Sequence, residues 1–419
     1  MKRHLAGAAL LLLATNVRAA THTWSGPMVG GFWSNPMNWM GGPPTSNEAG
    51  GTIVVFLSGV LSIHDMVGLT INEIHFIGGG NVVAGSTTLS FGSAPSPDLA
   101  NVKSEGGGNT FAPTLPLSAP SGLQVTVVSG TVTIGGTISG NAPILQAASS
   151  GTLVFSGANA FTGIVNIGQG TLALSSSTPN TAIPNGVSDH VFVGDFMGAA
   201  DSAVLRNLLD EQIVDYAEVV TGPDGRYDLN DRNETIRDVA TFFPGGSVAL
   251  GSGTLTLKTL SGVLAQYDGT ISGTGNIVKT DAGLQVFTGT NSYTGTTTVS
   301  DGTLMIKGSQ PGSAVTVTGA GILLGSGTIG PLTLESGGLV SPGGNMSYQY
   351  GSTGILNVAG ATNLAAGVYR PDLDGTTAGT SYDQLSVTGD VSIGGATLDP
   401  YLTFTPSAGT MLTVLTCTG

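Results

Sequence analysis

The chain has a single cysteine in 419 residues, Cys417, two positions before the last residue. One thiol cannot build a disulfide framework, so covalent cross-links do not hold this fold. Charge is also scarce, at 9% of residues against a usual figure of about 25%. The histidines His22, His64, His75 and His190 stand far apart, none with a neighbour at metal-ligand spacing. No Gly-x-Ser-x-Gly elbow occurs, which leaves a nucleophile-elbow hydrolase without its serine. Past residue 14 there is no apolar run near the ~20 residues that a bilayer-spanning helix needs. The sequence therefore predicts no catalytic residues, no metal site, no cofactor and no transmembrane segment.

The first residues read as an address. Lys2, Arg3 and His4 precede the apolar run Leu5 to Ala14, and Val17-Arg18-Ala19 places small residues at both cleavage-critical positions. That layout is a secretory leader cut after Ala19. Removing residues 1–19 leaves 9 Lys plus Arg against 26 Asp plus Glu, a net charge near −17. Such a surface repels nucleic acid and anionic lipid.

What is abundant is glycine, 67 residues, together with 40% hydrophobic residues and many Thr, Ser and Val. Disorder requires the opposite balance of low hydrophobicity and high charge. Short strands joined by tight turns fit this composition.

The sequence also repeats. Gly151–Leu174 aligns without a gap on Gly283–Ile306. Val154/Val286, Phe155/Phe287, Gly157/Gly289, Asn159/Asn291, Thr162/Thr294, Gly163/Gly295, Gly170/Gly302, Thr171/Thr303 and Leu172/Leu304 are identical pairs. Phe161 becomes Tyr293, which keeps the ring, and Gly136-Thr-Ile-Ser-Gly140 recurs as Gly269-Thr-Ile-Ser-Gly273. Each unit has two apolar strands around a Gly-x-Asn-x-aromatic-Thr-Gly turn, and one unit alone cannot bury its apolar face. Stacking units at about 4.8 Å buries a continuous core. Asn159 and Asn291 are then either stacked amides bonded along the axis or plain solvent-facing turn residues.

This repeat resembles the autotransporter-associated β-strand repeat, also called the passenger-associated transport repeat. The likeness extends to Trp24-Ser-Gly, Phe32-Trp33-Ser-Asn, Asn38-Trp39 and Leu69–Phe76 near the N-terminus. It continues through Val193 to Ile213, Asp228-Leu-Asn230, Asn233–Ile236, Gly337–Asn345 with its Ser341-Pro-Gly-Gly turn, and Tyr382–Gly389. The resemblance implies an all-β, right-handed parallel β-helix (β-solenoid) exported to or beyond the outer membrane. Many such proteins end in a β-barrel or a sorting anchor; this sequence stops at Gly419 without either, which reads as truncation or as a released product.

The expected organisation is a leader (1–19), a Trp-rich N-terminal cap (20–50) and a solenoid with a first repeat (51–198; 136–177). A charged inter-repeat segment follows (199–243), then a second solenoid stretch with the second repeat and C-terminal coils (244–419; 269–309). Trp24, Trp33 and Trp39 are cap residues in this scheme, shielding the first coil, with a sugar-binding platform as the alternative. Ser202–Glu211 has helical spacing at Val204, Leu205, Leu208 and Leu209, with Ser202 as N-cap, so the residues alone predict a short helix. The family resemblance implies a strand and loop there instead. At about 22 residues per coil the rod is on the order of 70 Å long.

Asp228 to Glu234 is the densest cluster of oxygen ligands, but Arg232 and Asn233 stand where an EF-hand loop wants Asp or Asn and then Gly. A carbohydrate-active β-helix enzyme, the main rival reading, needs several carboxylates on adjacent coils with a basic residue. Residues 100–200 carry only Lys103, Glu105, Asp189 and Asp195 as charged side chains; Asp281, Asp301 and Glu335 could stack, but turns favour Asp as well. The sequence therefore predicts a monomeric structural or adhesive passenger with an unknown surface, matrix or glycan ligand. A passive stalk for a missing C-terminal domain is the third reading.

Overall fold

The computed structural model describes residues 18–46, 48–92, 100–141, 143–146, 150–184, 190–344 and 352–419. Most of the predicted leader (1–17), Asp189 and Asn345 lie outside the described residues. Ala19 lies just before the first strand, Ala20–Trp24.

Alternating Thr, Val and Ile place every second side chain inward. Leu123–Val127 buries Leu123, Val125 and Val127, and Thr131–Ile134 buries Val132 and Ile134. A strand with only one buried face needs partners, and here they come from later in the chain. Leu123–Val127 pairs in parallel with Ile144–Gln146, which pairs with Val165–Ile167, then His190–Val193, Glu218–Thr221 and Asp238–Thr241. A second series runs from Val29–Phe32 through Thr131–Ile134, Thr152–Phe155, Gly170–Leu174, Ala203–Asn207 and Gly225–Asp228 to Thr270–Ser272. A third, shorter series holds Leu117–Ser118, Ile138–Gly140 and Ala160–Phe161. The chain thus coils, visiting each sheet once per turn, and the stack continues through a 13-stranded sheet that reaches Thr397–Leu398.

The repeat is one coil. Thr152 pairs with Thr171 and Leu284 pairs with Thr303, a rise of 19 residues in both (171 − 152 and 303 − 284). The start and end of each repeat are therefore neighbouring rungs of one sheet. One apolar cluster runs along the inside from Trp24 to Val387.

No α-helix occurs among the described residues; a single 3-10 turn covers Pro36–Asn38. The helical spacing at Ser202–Glu211 gives way to the strand Ala203–Asn207, with Ala203, Leu205 and Asn207 inward and Val204 and Arg206 outward. The ladders waiting on both sides, Gly170–Leu174 and Gly225–Asp228, override the local spacing.

At the N-terminal end, the strand Trp39–Met40 lies antiparallel on Ala20–Trp24, the one antiparallel ladder among the described strands. Trp24, Trp33 and Trp39 are buried there. Their rings meet edge to face at 4.9 Å (Trp24–Trp39) and 5.5 Å (Trp33–Trp39), all around Phe56. The Trp39 indole N–H donates to the Trp33 carbonyl at 2.7 Å. Indoles packed this way present no face to a sugar, so the platform alternative for these tryptophans is wrong.

Candidate functional site on the inter-repeat face

The repeat turns come first, because they set the geometry of everything between them. The Asn159 side chain accepts from Ile138 N–H at 3.0 Å and donates to the Ala182 carbonyl at 2.8 Å. It bonds both the coil before and the coil after its own. Asn291 accepts from Ile271 N–H at 2.9 Å, while its own N–H donates to the Ser309 carbonyl. Both side chains are buried. Asn72 and Asn81 make similar inter-coil bonds earlier in the stack, a role that the search for exact repeats missed. Phe161 packs against Phe155 in the interior. The ring at the equivalent position, Tyr293, is also buried, and its hydroxyl is met by Thr297, which in turn meets Ser313. Gly157 and Gly289 sit where an added Cβ would fall 2.5 Å and 1.9 Å from the carbonyl oxygens of Gly136 and Gly269 in the coil before. Gly295 is in the same position over Gly275, at 2.0 Å, and Gly163 is buried.

Between the repeats the interior turns polar. Glu234 is buried, and its carboxyl accepts from Gln212 N–H at 2.7 Å, Ile213 N–H at 3.2 Å and the Asn207 amide at 2.5 Å. Burial pushes its pKa up to about 8 despite those donors. The rest of the oxygen-rich cluster is committed to the fold. Asp228 pairs with Arg206 at 2.8 Å, Asp231 accepts from Ser252 N–H, and Asn233 accepts from Thr254 N–H. Among the described residues, no group of three or more His, Cys, Asp or Glu converges as a metal would require. Lys279, fully buried, gives its ammonium to the carbonyls of Thr280, Asp281 and Asp301. Burial lowers its pKa to about 8.

The outward face of this same segment is different. In the first sheet, Asn166, Phe192 and Val220 occupy one outward row by register. Phe242, just past the strand Asp238–Thr241, stacks on Phe192 with centroids 5.3 Å apart and planes 14° apart. Phe196 and Phe243 meet edge to face at 5.2 Å. Phe242 is 61% exposed, Phe243 60% and Phe196 46%. Between the rings lies an open cleft of about 230 Å³ with Asn166, Gly194, Val220 and Gly222 along it.

One loop is built to hold this surface. Phe196 has φ +66°, a left-handed conformation that a bulky residue adopts only under constraint. The constraint is Asp224, whose carboxylate accepts from the N–H groups of Asp195, Phe196 and Gly198. Burial pushes the Asp224 carboxyl up, but these donors outweigh it and hold the pKa below its ordinary value. Beside the cleft, His190, Glu218, Arg237 and Asp238 pair with one another. Glu218 meets His190 and Arg237 at 3.1 Å each, and Arg237 meets Asp238 at 2.9 Å. Sequence reasoning missed the phenylalanines. The available signal was aromatic residues inside turn-rich stretches, Gly194-Asp-Phe196 and Phe242-Phe243-Pro-Gly-Gly, just past the ends of strands.

The passenger-associated-transport-repeat family model matches residues 145–174 and 277–306, the two coils just described. An adhesin, the BmaC autotransporter of Brucella suis biovar 1 (strain 1330), is 39% identical over 114 residues, covering 24% of this chain and 3% of that protein. An extracellular serine protease of Serratia marcescens is 42% identical over 73 residues, covering 17% of this chain and 7% of that protein. The chain therefore spans a small fraction of the length of either curated relative. No solved structure matches it. Two matched repeats, each closing one coil of a parallel stack, show that this chain carries passenger-associated-transport repeats and is similar, over part of its length, to autotransporter passenger regions.

Proposed function

We propose that the chain is the exported, non-enzymatic part of an autotransporter, a right-handed parallel β-solenoid with a structural and adhesive role at the cell surface or beyond it. The observation that carries this reading is the match between repeat and coil. The 19-residue register makes each repeat a self-propagating rung, suited to extending a surface away from a cell. The tryptophan cluster at the first coil acts as the cap, and the repeat glycines and asparagines act as the stacking residues. The adhesin among its relatives favours the same role for this chain.

An enzymatic role, whether proteolytic or on polysaccharide, finds less support in the side chains. His22 is bonded to Glu48 and the Gly42 carbonyl, His64 to the Thr88 carbonyl, and His75 to Glu105. Among the described residues no serine hydroxyl is bonded to any of these three. Arg206, Arg237 and Lys258 each sit against a carboxylate, so the basic groups of this face serve ion pairs.

Expression of the full chain in a bacterium with an outer membrane tests the reading. The expected product lies outside the inner membrane and begins at Ala20 by N-terminal sequencing, and it turns over neither casein nor pectin. Retention in the cytoplasm with Met1 intact, or turnover of either substrate, would overturn it.

A further inference from the structure

The cleft between Phe192, Phe196 and Phe242 is unexplained by stacking. Aromatic rings are the costliest side chains to leave in water, since each buries roughly 150–250 Å² when it can. The interior of the stack, in coils before and after this segment, had room for Phe155, Phe161, Phe287 and Tyr293, all fully buried. Yet Phe242 and Phe243 stay more than half exposed, and Phe196 is held outward in a left-handed backbone by three hydrogen bonds to one carboxylate. Backbone strain maintained by dedicated bonds marks surfaces that act.

The chemistry of the surroundings narrows the occupant. The nearby charges are spent: His190, Glu218, Arg237 and Asp238 on one another, and Asp224 on loop N–H groups. With 26 acids against 12 bases, the chain as a whole repels polyanions. What the cleft offers is ring faces, a glycine floor at Gly194 and Gly222, and the Asn166 carboxamide, which has no hydrogen-bond partner among the described residues. A neutral amide can both donate and accept. The space, about 230 Å³, falls below the ~300–1,000 Å³ of a drug-sized site. It suits one ring of a chain that runs on past both ends. A protein partner would need a face of about 800 Å², far more than these few side chains supply.

From this combination we propose that the cleft binds an uncharged pyranose unit of a polysaccharide. The apolar face of the sugar stacks on Phe242 and Phe196, and a hydroxyl pairs with the Asn166 amide. The inference rests on the reading of the chain as a surface passenger and names the chemistry that the passenger would hold.

Isothermal titration of the purified chain with neutral hexasaccharides (cellulose, laminarin, amylose and N-acetylated chitin types), with hexagalacturonate as the anionic counterpart, tests it. Saturable binding of a neutral sugar is expected, weakened at least about tenfold by Phe242→Ala and by Asn166→Ala, with melting temperatures unchanged. Three results would overturn the proposal: no binding of any neutral hexasaccharide, preference for the anionic sugar, or binding indifferent to both substitutions. Sedimentation of the same samples covers the remaining occupant: wild-type dimers that Phe242→Ala returns to monomers would make the patch a contact between copies and also overturn it. The passenger reading stands or falls separately. A chain exported and cut before Ala20 that ignores all sugars loses only the glycan site, whereas a chain retained inside the cell loses the passenger reading whatever it binds.

Discussion

Glu234 shows how a single side chain can stitch three segments together at the cost of its charge. It faces inward on the strand Glu234–Ile236 and receives two main-chain N–H groups from Gln212 and Ile213. With its pKa pushed up to about 8 by burial, it is mostly protonated at pH 7. The pH consequence follows from the direction of the shift. The folded pKa exceeds the ordinary 4.5, so this contribution to stability is complete below about pH 4.5 and disappears as pH rises through about 8. Asp238 and Asp383, each raised to about 7 by burial, act in the same direction. Lys279 acts oppositely: its pKa is lowered from 10.5 to about 8, so its contribution is complete above 10.5 and is lost as pH falls through about 8. Glu234→Gln keeps the shape and removes the titration. Thermal melts at pH 5 and pH 8.5 are expected to show a smaller fall for the variant than for the wild type. Equal falls would mean that Glu234 is not the group responsible.

At the scale of the coil, glycine columns limit what the repeat can tolerate. Gly269, Gly289, Gly308 and Gly327 follow one another coil by coil, and a Cβ on each of the last three would fall about 2 Å from the carbonyl oxygen of the glycine before it. Neighbouring coils about 4.8 Å apart leave no room for a side chain in that direction. Gly289→Ala must therefore push two coils apart, at a cost of about 1–3 kcal/mol. Gly108→Ala is the matched control, since nothing lies within 4 Å of its Cβ and its φ is ordinary. Urea unfolding of the two variants is expected to show a large loss for the first and almost none for the second. Equal losses would sink the packing explanation. The repeat itself was legible in the sequence because gapless identity between Gly151–Leu174 and Gly283–Ile306 needs no structure to be seen. The strand Ala203–Asn207 was not legible from its residues, because four apolar side chains at helical spacing say nothing of the ladders on either side. The aromatic cleft was hidden for a related reason. Phe192 and Phe242 are 50 residues apart (242 − 192) and meet only because the chain returns to the same sheet twice between them.

For the whole molecule, the coiling explains how a chain with so few charges and no disulfide keeps one fold. Each rung pairs its main chain with rungs on both sides, and one apolar interior runs from Trp24 to Val387. Stability is then a sum of neighbour interfaces, and at the N-terminal end the buried tryptophans pack beside the antiparallel pair of Trp39–Met40 and Ala20–Trp24. The central claim is that residues one repeat apart lie side by side in parallel register, and it can be read directly. Thr298 and Thr316 are register partners on outward positions of adjacent coils. Nitroxide labels on Thr298→Cys and Thr316→Cys, in a Cys417→Ser background, are expected to show strong dipolar broadening, because their backbones lie about 5 Å apart. Spectra equal to the sum of the two singly labelled chains would place these strands apart and contradict the stacked-coil account.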